Sequence, residues 1–128
     1  MKIFLILFIS LFCAGVFAEA KTMGALHNVA GKGHFGYGDY ETAIEEFRKG
    51  AELDDADAQY NLGSMYFKGQ GTTQDYVRAH MWWNIAASKG IDEAQRSRDK
   101  VEKKMTSSDI SKAQDLAREC VASKHKNC

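Results

Sequence analysis

Residues 57–90 read DAQYNLGSMYFKGQGTTQDYVRAHMWWNIAASKG, and the spacing of their apolar side chains decides the fold. Tyr76, Ala79, Trp83, Ala86, Ala87 and Gly90 recur mostly at intervals of three and four, which lays one apolar stripe along a helix. Ala58, Leu62, Met65 and Tyr66 do the same ahead of the glycines. Small residues such as Gly63 and Ala79 are placed to face large ones such as Tyr66 and Trp83, because helices approach closely only where one side is small. Alternation at period two is absent over any useful length, so no strand is expected.

Working outward, the chain matches itself when slid by 36 residues without a gap. Asp39-Tyr40 falls on Asp75-Tyr76, Ala43 on Ala79, Phe47 on Trp83, Ala51 on Ala87, and Ala58-Gln59 on Ala94-Gln95. Upstream, Leu26 falls on Leu62 and Lys32-Gly33 on Lys68-Gly69. A period of this length suits a helix–turn–helix unit that buries its apolar face only by stacking on neighbours. The third copy keeps Ala94-Gln95 and then turns polar and loses its aromatics, as a terminal unit with a solvated outer face must. Within it, Thr106 and Asp109 have the spacing of a capping box, followed by Ile110, Ala113, Leu116, Ala117 and Cys120 on one narrow face. These patterns predict six helices, near 22–32, 40–53, 57–68, 75–89, 92–104 and 107–124. The first is the poorest helix former because of its glycines.

The quoted stretch closely resembles the Sel1-like repeat, a relative of the tetratricopeptide repeat with a longer glycine-containing loop. Ala58, Leu62, Gly63 and Tyr66 match its first helix, Gly69, Gly71 and Asp75 its loop, and Ala79, Trp82, Ala86, Ala87 and Gly90 its second helix. The resemblance extends over about residues 37–120 and weakens before them: His27 stands where the pattern has glycine and Ala30 where it has tyrosine. It implies an all-α, right-handed α/α solenoid of about three repeats, at 22–56, 57–91 and a capping unit 92–124. It also implies a non-catalytic protein that holds other proteins. Disulfide-rich relatives are linked to β-lactam binding or hydrolysis, but they carry a cysteine pair in each repeat, and this chain does not.

The first 20 residues, MKIFLILFISLFCAGVFAEA, read as a signal peptide. Lys2 is the basic start, Ile3 to Phe12 the apolar run, and cleavage after Ala18 or after Ala20 both fit. The run is shorter than the roughly 20 residues a spanning helix needs. Residues 21–128 would then form one secreted or periplasmic domain, large enough for a modest core and away from the membrane once the leader is cut. The 128 residues carry 17 Lys and Arg against 17 Asp and Glu, a balance that points to neither nucleic acid nor an anionic membrane. After export Cys120 and Cys128 remain as a pair, either bridged so as to tie down the tail or left as two free thiols.

Gly31, Gly33 and Gly36 spell G-x-G-x-x-G. A dinucleotide loop needs a strand before it and a helix after it, and the preceding ALHNVA is no strand. The 36-residue register instead lays Gly31–Gly38 over Phe67–Gln74 and makes them an inter-helix loop. His27, His34, His80 and His125 lack ligand spacing, so neither metal nor cofactor is expected. No serine sits in a G-x-S-x-G elbow, and Glu45-Glu46 and Asp54-Asp55 read as a solvated helix face and a loop. Adjacent helical side chains point about 100° apart, so Trp83 is expected in the core and Trp82 partly exposed, packing on the next repeat.

By analogy with tetratricopeptide domains, the first helix of each unit lines the surface where partners lie. This selects Asp57, Tyr60, Ser64, Phe67 and Lys68 from the second unit, and Arg96, Lys100, Lys103 and Lys104 from the third. Aromatic side chains beside a basic strip suit a protein or peptide segment with apolar and acidic residues. The simpler reading of the basic run is solvation of a capping helix. The expectation is therefore an exported, non-catalytic interaction module. A secreted effector or enzyme inhibitor, or a β-lactamase-like hydrolase, is the alternative, and the partner and oligomeric state are left open.

Overall fold

A computed structural model describes the backbone of residues 2–128 and the side chains of residues 14–128. The side chains of Met1 to Cys13, on which most of the signal-peptide reading rests, lie outside the described residues. Six helices follow in order: α1 (Lys2–Gly36), α2 (Tyr40–Glu52), α3 (Ala56–Lys68), α4 (Tyr76–Ser88), α5 (Asp92–Glu102) and α6 (Ser107–Ala122). No strand occurs among the described residues. No helix there is long and apolar enough to cross a membrane.

Local chemistry sets the boundaries. The side chains of Asp39, Asp55, Asp75 and Thr106 accept from the backbone N–H groups of Thr42 at 3.2 Å, Ala58 at 2.9 Å, Arg78 at 3.0 Å and Asp109 at 3.1 Å. Each such cap satisfies a donor that the helix cannot, worth typically ~1 kcal/mol. The start of α5 has no side-chain cap, but Asp92 and Glu93 place negative charge on its first turn.

Helices α1 and α2 pack as one antiparallel pair and α3 and α4 as the next, with α2 against α3 joining them. Helix α4 packs on α3, α5 and α6. The core runs through Ala43, Phe47, Ala51, Leu62, Met65, Ala79, Ile85 and Ala86 and ends at Val101, Ala117 and Cys120. His80 is fully buried on α4, and its Nε2 meets the Glu102 carboxylate at 2.8 Å, which locks α4 to α5.

Two expectations are corrected here. Trp82 is not partly exposed: it is 2% accessible and Trp83 4%. A helix covered by three neighbours needs an apolar surface nearly all round, so indoles about 100° apart both enter the core. The second correction concerns α1, which does not end near residue 32 but continues to Gly36. Gly31, Gly33 and Gly36 are therefore helical and do not form the inter-helix loop. Three residues, 37–39, join α1 to α2, whereas seven, 69–75, join α3 to α4.

That shorter turn changes the register of the first helix. A Cβ on Gly31 would lie 2.6 Å from the Phe47 ring, as one on Gly63 would lie 2.7 Å from the Trp83 ring. Phe35 packs on Tyr40 with centroids 5.2 Å apart, as Phe67 stacks on Tyr76 at 5.4 Å. Downstream of Asp39 the copies are 36 residues apart, but α1 is displaced from α3 by 32. Leu26 thus corresponds to Ala58 and not to Leu62, which the ungapped match set over it; both of those are fully buried, whereas Leu26 is 56% exposed.

Candidate functional site: the α1–α3–α5 groove

The first helices of the successive units, α1, α3 and α5, form one surface. Between α3 and α5 lies a cavity of about 340 Å³ whose floor is Tyr60, Ser64, Phe67 and the edge of Trp83 and whose far wall is Ser97, Lys100, Val101 and Lys104. Towards α1 an adjoining cavity of about 440 Å³ shares Tyr60, Ser64 and Lys68 and adds Lys32, Phe35 and Phe47.

Hydrogen bonds hold this floor in place. The carbonyl of Tyr60 accepts from Trp83 Nε1 and from Ser64 Oγ, each at 3.1 Å. Trp83 reaches that carbonyl because Gly63 presents no side chain beneath its ring. Asn61 Nδ2 donates to Asn28 Oδ1 at 2.8 Å, joining α3 to α1 across the groove. Phe67 stacks on Tyr76 and leans on Trp83 at 5.5 Å, and the Lys104 ammonium stands 5.6 Å from the Phe67 ring centre. Aromatic contacts of this kind limit ring motion, and a cation over a ring face adds ~0.5–1 kcal/mol where exposed.

The electrostatics have one sign. Lys32, Lys68, Lys100 and Lys104 line the two cavities, and no carboxylate does. Of the nine residues selected from sequence, Tyr60, Ser64, Phe67, Lys68, Lys100 and Lys104 come together in the first cavity. Asp57 on α3, Arg96 on α5 and Lys103 in the turn after α5 are exposed and do not line it. Sequence reasoning missed Trp83 as a floor residue, and it missed Lys32 and Phe35. The signal for Phe35 was its equivalence to Phe67, which the ungapped register hid by setting it against Gly71.

The remaining polar side chains have separate local duties. Asp55 caps α3, and Asp54 pairs with Lys89 and, at 3.4 Å, with His125 Nδ1. Glu46 meets His27 Nδ1 at 2.7 Å and Lys49 Nζ at 2.7 Å, and these bonds hold its carboxyl below the usual range. His34 lies 3.2 Å from Asp39. Each histidine thus meets a different carboxylate, and no group of three potential metal ligands occurs among the described residues. On α6 and the tail, Cys120 and Cys128 are joined by a disulfide with Cα atoms 5.4 Å apart.

No curated protein matches the chain. The family model described as Sel1 repeat matches residues 56–91, from the first residue of α3 to the residue before α5. Sel1 repeats are helical, typically non-catalytic units that mediate protein–protein interaction. Residues 56–91 are thus a Sel1 repeat, and six helices stacked in pairs around that unit, with no strand among the described residues, fit an all-α repeat fold.

Proposed function

We propose that the protein is an exported, non-catalytic binding module whose α1–α3–α5 groove holds an extended segment of another protein. Support for export comes from the leader-like residues 1–20 and the paired cysteines, and a secreted or periplasmic site of action follows. The observation that carries the binding reading is an aromatic floor ringed by four lysines with no carboxylate among the lining residues. An apolar or aromatic side chain of the segment fills the space over Tyr60, Phe67 and Trp83. Its carboxylates face Lys68 and Lys100. Complementary charge of this sort speeds encounter and fixes register more than it adds affinity.

Affinity capture from the exported fraction of the protein's own cells, with the captured proteins identified by mass spectrometry, tests this reading. A recurrent partner is expected with wild-type protein. Tyr60→Ala should weaken it by about tenfold or more, the range of a central aromatic anchor. Lys68→Glu with Lys100→Glu should also weaken it and flatten its dependence on salt. A partner retained undiminished by both variants would remove the groove from the argument.

A further inference from the structure

Helix α1 bears a second apolar face that nothing among the described residues covers. Met23 is 47% exposed, Leu26 56% and Val29 65%. Of the large hydrophobic side chains exposed among the described residues, all except Tyr40 and Val121 lie between Val16 and Tyr37. Along the helix Met23, Leu26, Ala30 and Gly33 follow at intervals of three, four and three, so they form one stripe on the flank of α1 away from Lys32.

The displacement of 32 residues identifies this stripe. Leu26, Ala30 and Gly33 stand where α3 has Ala58, Leu62 and Met65, which are 0%, 0% and 1% exposed. Helix α3 uses that side to stack on the preceding pair: a Cβ on Gly50 of α2 would lie 2.7 Å from the Ala58 Cβ. Helix α1 thus presents a stacking face that no second helix pair among the described residues covers, whereas a helical array needs a polar outer face at each end. The other end meets that need, with Lys112, Gln114, Asp115, Arg118 and Glu119 exposed on α6. Head-to-tail stacking would bury those charges against an apolar stripe, at a cost that no opposite charge on the stripe offsets.

We propose that this stripe is a self-association face on which α1 of a second copy of the chain packs antiparallel, forming a two-fold dimer. A two-fold axis between Leu26 and Ala30 sets Leu26 of one copy against Ala30 of the other, and Met23 against Gly33. Each large side chain then meets a small one, the condition for close helix packing. None of the four stripe residues is charged, so the self-contact brings no like charges together. The surface is separate from the groove and leaves it open in both copies.

Sedimentation of the protein as it accumulates in its own compartment, over a concentration series, tests the proposal. The wild-type chain is expected as a dimer. Leu26→Glu should halve the apparent mass while leaving helix content unchanged, and should abolish any dependence of the melting temperature on protein concentration. As a readout independent of that variant, Leu26→Cys and Ala30→Cys proteins should form a covalent cross-copy dimer when mixed and oxidised, more readily than either alone. A wild-type monomer throughout the series would overturn the proposal, whatever other protein it captures. So would a dimer that survives Leu26→Glu, or failure of the mixed cysteines to link.

Discussion

Gly63 and Gly31 set how closely their helices approach the helices packed against them. Each lies beneath an aromatic ring, Trp83 over Gly63 and Phe47 over Gly31, at distances that leave no room for a methyl group. Alanine would gain ~1 kcal/mol of helix propensity over glycine. Against this, overpacking a closed core typically costs about 1–3 kcal/mol, and Trp83 cannot retreat without losing its bond to the Tyr60 carbonyl. Gly63→Ala and Gly31→Ala should therefore both lower the midpoint of denaturant unfolding. Gly36→Ala, whose Cβ would meet nothing within 4 Å, should leave it unchanged or slightly higher. A neutral Gly31→Ala would refute the 32-residue register, because the ungapped match makes His27, not Gly31, the counterpart of Gly63.

At the scale of the elements, helices α2 to α6 were legible because apolar periodicity agrees with a side-chain cap at the start of each one except α5. Thr106, for example, caps α6 as its spacing from Asp109 indicates. Helix α1 was legible only in part. Glycine costs a helix ~1 kcal/mol, and packing of α1 on α2 holds Gly33 and Gly36 helical in spite of it. Propensity foretold a break that tertiary contact overrode. The groove was legible in α3 and α5, where position within the repeat selects Tyr60, Phe67 and Lys100, and illegible in α1, where the register was lost. Trp82 was misjudged because two-sided cover of α4 depends on α6, whose packing no local spacing reveals.

The C-terminal element is tied by a covalent bond that closes a loop eight residues apart in sequence. On the chain-entropy account such a closure contributes about 2–3 kcal/mol. Cys128→Ser should accordingly lower the melting temperature by something on the order of 10 °C for a domain of this size. A reducing agent should lower the wild-type value by a similar amount and leave the variant unaffected. Equal melting temperatures for wild type and Cys128→Ser would show that the tail contributes nothing to stability.

Across the whole molecule, that tail reaches back to the first repeat. The disulfide loop places His125, 9% exposed, against Asp54 in the α2–α3 turn, and Lys89 at the end of α4 joins the same carboxylate. One small cluster thus clasps all three units. Burial, and secondly the charge of Lys89, push the His125 pKa below its ordinary 6.5. The sign of the consequence follows from proton counting. Between the folded value and 6.5 the unfolded chain binds the proton more readily than the folded one, so stability rises with pH through that window. Melting temperature should hold level above about pH 7 and decline as pH falls below 6.5, and His125→Asn should remove this part of the slope. The low-lying carboxyls of Asp39 and Glu46 act below their ordinary values of 3.8 and 4.5, and Lys89 in the alkaline range below 10.5, so the windows are separate. An NMR titration of the His125 ring gives the direct reading: a midpoint below 6.5 is expected, and one at or above 6.5 would remove burial as the dominant influence on the ring.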